Sequence, residues 1–406
     1  MRKTVVIGGG AAGLFASVAA AEKGNEVVLI EKNEKLGKKI YITGKGRCNL
    51  SNYVDIPEFL NNVVSNPKFL FGALNNLSPE DTFAFFENAG LNLKIERGKR
   101  VFPASDKASD VTATIERRLK TLGAKIMLNT KVLEISTGNG QVTGVKTDCG
   151  EISADSVIIC TGGLSYPLTG SDGDGYRFAK DLGHKITPLN PSLVGLKLSG
   201  DDFIKAQGLS LKNVAIKILA DNKVVYKDFG EMLFTHYGVS GPVILSASCV
   251  IAKMNKNGMR ILIDFKPALD VKTVDLKLQK EFTERNLADL SNALRSVLPK
   301  SAVDMFIKRA GIEGKTRCCD LKKADREKIV SLLKGFEFSI VGTCGYDEAI
   351  VTSGGVDVNE INSKTMESKL IKGLFFAGEV LDVDAFTGGF NMQIAFSTGY
   401  TAGKNA

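Results

Sequence analysis

Apolar positions follow different rhythms in different parts of this chain. Lys3–Ile7, Glu26–Glu31 and Ser156–Cys160 are short β-branched runs without alternation. Such runs suit strands covered on both faces, as in a parallel sheet. Ala11–Lys23 is rich in small residues and reads as a helix joining the first two runs. Asp110–Leu122 reads as an amphipathic helix ending at Gly123, and Lys125–Ile135 as one further strand. These alternating elements with short connections are α/β material.

Beyond Pro188-Leu-Asn-Pro191 the pattern changes. VGLKL, NVAIKIL, KVVYKDFG and Arg260–Phe265 alternate and read as antiparallel strands. From Pro267 onward helical spacing takes over, at Val271–Asn286, Leu287–Val297, Ser301–Ala310 and Lys322–Leu333. Strand-like runs return at Phe336–Gly342 and Ala349–Thr352, and the chain closes with a strand at Gly373–Ala377, a Gly-rich loop and a helix from about Met392. Segments of α/β type thus lie at both ends. The economical topology is one discontinuous nucleotide-binding domain, residues 1–190 with 343–406. It is interrupted by a β-rich domain, residues 191–266 with 335–342, which carries a helical subdomain at 267–334.

The composition is that of a globular protein, with 44% hydrophobic and 24% charged residues. No stretch reaches the roughly 18 apolar residues of a membrane span. Thr4–Ala21 is apolar enough for a secretory signal, but its four glycines and direct run into a strand argue against one. Seven scattered cysteines without C-x-x-C spacing, and only two histidines, fit a reducing cytoplasm and no metal site. The net charge is +8, of which +6 falls between Arg260 and Gly335, where 17 Lys/Arg meet 11 Asp/Glu. A solvated helical face is the plain reading, an anionic partner the other.

The first chemical signal is Gly8-Gly9-Gly10-Ala11-Ala12-Gly13, a G-x-G-x-x-G between strand and helix. Gly8 allows the turn, Gly10 lets a pyrophosphate approach the backbone, and Gly13 lets the helix pack closely. Ala11 and Ala12 open the helix whose N–H groups meet the phosphates. Glu31, followed by Lys32, ends the next strand, where an acid accepts ribose hydroxyls and disfavours a 2′-phosphate. FAD and NAD both remain open at this point. Gly37–Asn52 is polar and Gly-rich, and reads as an extended loop beside a long cofactor. Lys45 and Arg47 could face phosphates there, with Gly44 and Gly46 close to the ligand. Thr161-Gly162-Gly163 follows a buried strand. Gly378 and Glu379 follow another, ahead of Asp382, Gly388, Gly389 and Asn391. A carboxylate there suits ribityl hydroxyls, and a helix N-terminus near Asn391–Gln393 suits charge on a reduced flavin.

These motifs, in order, resemble the BaiN/RdsA-like NAD(P)/FAD-dependent oxidoreductases. The stretches concerned are the fingerprint, TGKGRCNLSN, CTGGLSYPLTGSDGDGYRFAKDLGH, GEMLFTHYGVSGPVIL, VTSGGVDVNEI and GLFFAGEVLDVDAFTGGFNMQIAFSTGYTAG. The resemblance implies a glutathione-reductase-like Rossmann FAD domain with an inserted β-barrel-like domain and a small helical domain. It implies non-covalent FAD, its ADP half held by Gly8, Gly10, Gly13 and Glu31. Lys39, Gly44, Arg47, Cys48 and Asn49 would lie along it, the Val132 backbone would meet the adenine, and Thr161 and Gly162 would pass close. Glu379, Asp382, Asn391, Met392 and Gln393 would surround the ribityl chain and ring.

For catalysis, His236 in FTHYGVSGP is the first choice of proton donor. Tyr166 is a second candidate, with packing as its alternative. Cys48 reads as a packing residue and His184 as a helix C-terminal one. No second dinucleotide fingerprint exists, so NAD(P)H would dock transiently as co-substrate. Three functions compete. The first is hydride transfer from NAD(P)H through FAD to a small organic acceptor such as an enone. The second is an amine oxidase of aminoacetone-like substrates using oxygen. The third is an RNA-binding or RNA-modifying flavoprotein, disfavoured because the basic charge is diffuse and the chain has no Trp. The expected partner is a small-molecule substrate, not a membrane or nucleic acid. The pattern does not specify an oligomeric state.

Overall fold

The computed structural model describes all 406 residues and divides into two compact units, Met1–Ser192 with Tyr346–Ala406, and Leu193–Gly345. The first unit is built on a five-stranded parallel sheet. Its order is Leu374–Phe376, Ser156–Ile159, Lys3–Ile7, Glu26–Ile30 and Lys125–Met127. The first of these strands comes from the chain's far end, so this sheet joins both termini. Apart from the edge strand Lys125–Met127, its strands are buried on both faces over nearly their whole length, which is why they do not alternate.

The fingerprint helix, Ala11–Glu22, packs along the C-terminal helix, Phe390–Asn405. Two glycines one turn apart make that approach possible. A Cβ on Gly399 would sit 2.2 Å from the Ala12 carbonyl oxygen, and one on Gly403 would sit 2.1 Å from that of Ala16. The small residues of both helices therefore serve backbone-to-backbone packing.

The expected single strand at Lys125–Ile135 is two. Lys125–Met127 ends the parallel sheet. Asn129 then turns the chain through a left-handed conformation, φ 50°, and Val132–Gly138 pairs in a separate antiparallel sheet with Gln141–Thr147 and Gly150–Ser153. Residues 53–107 hold further short helices, among them Pro79–Asn88. Its start carries a capping box in which Ser78 and Asp81 exchange hydrogen bonds.

The second unit is a closed six-stranded barrel. Going round it, the strands are Leu196–Leu198, Gly238–Ser240, Lys223–Phe234, Ser210–Ala220, Arg260–Asp264 and Phe336–Thr343. The long hairpin turns at Asp221-Asn222, with φ 48° and 64°, the two left-handed residues of a type I′ turn. Helices Val271–Glu284, Lys300–Ala310 and Lys323–Lys334 follow the barrel strand at Arg260. One apolar core runs through barrel and helices alike, from Ile216 and Phe234 to Leu278, Phe306 and Leu333.

Candidate functional site

The glycine turn has the geometry its spacing predicts. Gly8 is left-handed, φ 101°, and a Cβ there would stand 2.6 Å from the Cys160 carbonyl oxygen. A Cβ on Gly13 would lie 1.8 Å from the Gly8 oxygen, so helix and turn are in backbone contact. At Gly10, by contrast, a Cβ would meet nothing within 4 Å, leaving room for a ligand. No side chain caps the helix that starts here, and its first turn holds no acid. Its positive end is left for an anion.

Glu31 is 8% exposed and firmly held. It accepts from the Gly9 N–H at 2.8 Å, and from Asn33 through the backbone N–H at 2.8 Å and the side-chain amide at 2.6 Å. Lys32 bridges Asp172 and Asp174 at 2.6 and 3.0 Å. Burial opposes its charge, but the two carboxylates outweigh burial and raise its pKa. Lys32 is thus a brace to the loop after Ser171. Val132 is buried at the start of its antiparallel strand.

The Gly37–Asn52 segment is not an extended loop. It forms a short helix, Lys38–Ile42, and a tight turn, Thr43–Gly46, in which Gly44, Lys45, Gly46 and then Cys48 all have positive φ. A Cβ on Gly44 would stand 2.9 Å from the Asn49 nitrogen. Arg47 does not wait for phosphates either. Its guanidinium lies 4.2 Å from the Phe102 ring centre and is shared by Glu96 and Asp106. Lys39 makes a 2.6 Å ion pair with Glu379 and donates to the Ser165 hydroxyl at 2.5 Å. Ser165 donates to the second Glu379 oxygen at 2.7 Å, and the Thr352 N–H donates to it at 2.8 Å. Glu379 is therefore a four-segment knot, with its acceptors already engaged. A Cβ on Gly163 would crowd it, 2.9 Å from the carboxylate. Ser165 and Thr352 lie in two of the family-like stretches, but only the fold joins them.

The C-terminal loop also spends its amides internally. Asn391 accepts from the Ala385 N–H at 2.9 Å and donates to the carbonyls of Ala385 and Phe386. Gln393 is fully buried. It accepts from Ser51 at 2.6 Å and donates to Thr82 at 2.8 Å, Ser397 at 3.0 Å and the Leu77 carbonyl at 3.3 Å. These two side chains set the loop's shape and do not stand free to meet a ligand. Asp382 is 6% exposed, and its carbonyl accepts from Asn66. Met392 is half-buried against the unit's core. Gly378 is left-handed, φ 78°.

The residues present fit a dinucleotide with a long polar middle. The helix from Phe390 begins at Gly389, φ 101°, with no side-chain cap and no acid in its first turn, as the fingerprint helix does. Beside it, Asn49 Oδ1 and Asn52 Oδ1 are buried without a hydrogen-bond partner. Asn52 spends its amide protons on the Gly98 and Gly388 carbonyls, and a Cβ on Gly389 would stand 2.9 Å from Asn49 Oδ1. Thr161 Oγ1, two residues beyond the Ser156–Ile159 strand, is likewise unpartnered, as are Ser17 Oγ and Thr112 Oγ1 elsewhere in the unit. Buried orphans are rare and call for a partner the chain itself does not supply. Asn52, outside the expected set, lies within the TGKGRCNLSN stretch.

His236 lies in the second unit, exposed at the turn between two barrel strands. Its ring packs edge-on to Tyr237, 5.0 Å between centres, and no chain group hydrogen-bonds it. Tyr166 is left-handed, φ 53°, and half-buried; its N–H donates to the Tyr346 carbonyl. Cys48 is fully buried, and burial pushes its thiol up to about 12. His184 sits between Ser368 (2.9 Å) and Glu360 (3.1 Å). That order resembles a hydrolase triad, but Ser368 Oγ already accepts from the N–H groups of Leu370 and Ile371, and the imidazole is buried. It braces the fold.

The HI0933-like protein Rossmann domain family matches residues 2–405. The chain belongs to this family. Within it, the chain is 34% identical over 419 residues to the 3-dehydro-bile acid delta(4,6)-reductase of Clostridium scindens, covering 100% of this chain and 99% of that one. It is 31% identical to the ribosomal RNA dihydrouridine synthase of Escherichia coli, covering 99% and 97%. Among solved structures, a Rhodococcus jostii 3-ketosteroid-delta4-(5alpha)-dehydrogenase superposes with a TM-score of 0.53 at 14% identity. It covers 100% of this chain and 96% of its own, a likeness of fold. This HI0933-like chain is an FAD-dependent oxidoreductase with a Rossmann-type FAD-binding domain and an inserted closed barrel. None of its helices is long and apolar enough to cross a membrane.

Proposed function

We propose that the chain is a reductase that takes a hydride from NAD(P)H and adds it to a carbon–carbon double bond conjugated to a carbonyl. One observation carries the reading. Two relatives aligned along nearly the whole chain bear names that describe one transformation. A delta(4,6)-reductase of a 3-dehydro bile acid and a dihydrouridine synthase both add two hydrogens to such a bond. A small enone is the acceptor the reading starts from, and a uracil ring is the same electronic class.

Bound FAD supplies the hydride relay; the chain supplies position and protons. Gly8, Gly10 and Gly13, with the uncapped helix behind them, hold the ADP half. Asn49, Asn52 and the helix from Phe390 receive the other end. Hydride addition at the far carbon of the double bond sends an electron pair toward the carbonyl oxygen, and a proton then completes the near carbon. His236, exposed and without a hydrogen-bond partner, is the donor in this reading, with Tyr166 as the alternative. NAD(P)H docks transiently, since the chain has one dinucleotide fingerprint. Anaerobic stopped-flow tests the reading. NADH or NADPH should bleach the flavin, and a steroid enone or a uridine-containing RNA should restore its colour. An amine that bleaches it, with peroxide formed on admitting air and no response to either nicotinamide, would replace the reductase by an oxidase.

A further inference from the structure

We infer that Tyr237 is a positioning residue that holds the His236 imidazole in one orientation, and that position 195 is glycine to make room for it. This role rests on the reading in which His236 is the proton donor of the reduction. In that step the N–H bond of the imidazolium breaks, a C–H bond forms at the carbon beside the carbonyl, and the neutral imidazole keeps the electron pair. A general acid works only with its ring nitrogen aimed at the accepting atom. His236 has no hydrogen bond within the chain to aim it. A side chain on an exposed turn otherwise moves among staggered rotamers. What touches the imidazole is the ring of the next residue. The centres of His236 and Tyr237 are 5.0 Å apart and their planes stand at 77°, the edge-to-face arrangement of a favourable aromatic pair.

Tyr237 is itself seated. Its ring lies against the backbone of Gly195, just before the barrel strand Leu196–Leu198. A Cβ on Gly195 would stand 2.4 Å from the Tyr237 hydroxyl oxygen, 2.7 Å from Cε2 and 2.9 Å from Cζ. Gly195 does not take a left-handed φ, so its backbone asks for no glycine; the ring does. The Cys344 N–H donates to the Gly195 carbonyl at 3.0 Å and pins this platform. The backbone of the turn is clamped as well. The Leu198 N–H donates to the Tyr237 carbonyl at 3.1 Å, and the Thr235 N–H donates to the Gly238 carbonyl at 2.8 Å. A Cβ on Gly238 would lie 2.4 Å from the Leu196 carbonyl oxygen, so turn and strand are in backbone contact. Tyr237 is thus half-buried and fixed, while His236 is exposed and touches it. The fixed ring orients the exposed one.

The chain has two histidines, and His184 is buried between Ser368 and Glu360, so imidazole probes tell them apart. The test uses the full-length, FAD-loaded protein with its histidines carbon-labelled at Cε1 for NMR. In wild type the Tyr237 ring should displace the His236 Hε1 signal from the position of free histidine. Tyr237→Leu should return it there, and Tyr237→Phe should keep it displaced. Gly195→Ala, which pushes the ring aside, should act as Tyr237→Leu does. In anaerobic stopped-flow, cyclohexenone should reoxidise the reduced flavin about two- to tenfold more slowly in Tyr237→Leu and Gly195→Ala, the range such a ring pair is worth. Tyr237→Phe should restore the wild-type rate, and bleaching by NADPH should be unchanged in all three. Placed in the His236→Asn protein, Tyr237→Leu should slow reoxidation no further.

A Tyr237→Phe as slow as Tyr237→Leu, or an added loss in the His236→Asn background, would overturn the inference, since Tyr237 would then act through its hydroxyl or by another route. So would an Hε1 signal that is the same in wild type and Tyr237→Leu. A His236→Asn protein that reoxidises at the wild-type rate, or a wild type that cyclohexenone does not reoxidise, would defeat the donor reading. The histidine spectra would then still decide whether Tyr237 holds the ring.

Discussion

The Lys39–Glu379 pair joins positions 340 residues apart and can be tested by itself. Both side chains are about four-fifths buried, with 23% and 19% of their surfaces exposed. At 2.6 Å, an effective dielectric constant near 20 gives a gross attraction of about 6 kcal/mol. Desolvation offsets several kcal/mol for the two ions. Partial exposure screens the remainder further, so a net coupling of about 2 kcal/mol is expected. Glu379→Gln keeps the shape and an acceptor for Ser165 and Thr352 while removing the charge. Lys39→Met removes the other charge at similar volume. Urea unfolding of the apoprotein, for both single variants, the double variant and wild type, measures the coupling without cofactor occupancy entering. The two single variants' losses should together exceed the loss in the double variant. Additivity within about 0.5 kcal/mol would refute the pair as a coupled element.

Burial lowers the pKa of His184, with Glu360 only partly opposing it, so the unfolded chain binds the proton more readily than the folded one. Stability should be full above the ordinary value of 6.5 and fall as pH drops from there through the folded value. His184→Asn should flatten that part of a melting-temperature profile. Gly399→Val places carbon against the Ala12 carbonyl; thermal melts should show a loss of about 3 kcal/mol or more and reduced flavin content after purification. Gln393→Leu strands the buried partners Ser51 and Thr82, while Ser397 keeps its bond to the Leu77 carbonyl, and should cost about 2–4 kcal/mol in urea titration. Iodoacetamide at pH 8 should modify exposed Cys149 and Cys319 while sparing Cys48, as mass spectrometry of the native protein would read out.

What can be read from the chain alone follows from the range of the forces involved. The parallel strands announce themselves because both faces are covered, so each is a local run of β-branched residues. The glycine fingerprint is local too: Gly8 takes the left-handed turn and Gly13 sits against the Gly8 carbonyl. Lys125–Ile135 reads as one strand because propensity says nothing about partners. Its two halves belong to different sheets, divided at a left-handed Asn129. Arg47, Asn391 and Gln393 look like ligand-binding groups in a motif, yet their chemistry is decided by groups elsewhere. Gln393 meets Ser51 across 342 positions and Thr82 across 311. A hydrogen bond over such a separation leaves no periodic trace. The Ser78–Asp81 capping box is the opposite case, a three-residue signal in a stretch where the apolar pattern marks no element.

Two helices, one opening near residue 11 and the other at Phe390, begin at glycines with neither cap nor first-turn acid. A helix start that lacks its cap forgoes about 1 kcal/mol. This chain does cap other helices, with Asp55, Ser78 and Asp270. Helices such as Pro242–Ile251 and Lys300–Ala310 also start without cap or first-turn acid. What sets the starts at Gly10 and Gly389 apart is the open space over Gly10 and the buried orphan oxygens of Asn49 and Asn52 by Gly388 and Gly389. A ligand carrying anionic and polar atoms would satisfy these groups, as the proposed FAD site requires. Binding and folding of the first unit should consequently be linked, with free FAD at 1,000 times its dissociation constant adding about 4 kcal/mol. Because the two helix starts come from opposite ends of the chain, the added stability should appear as greater cooperativity of the first unit's unfolding. Hydrogen exchange can separate the outcomes. FAD should slow amide exchange in Lys3–Ile7 and in Leu374–Phe376 by similar factors, and protection confined to the N-terminal strand would show that the far end of the cofactor is not held where the orphan oxygens lie.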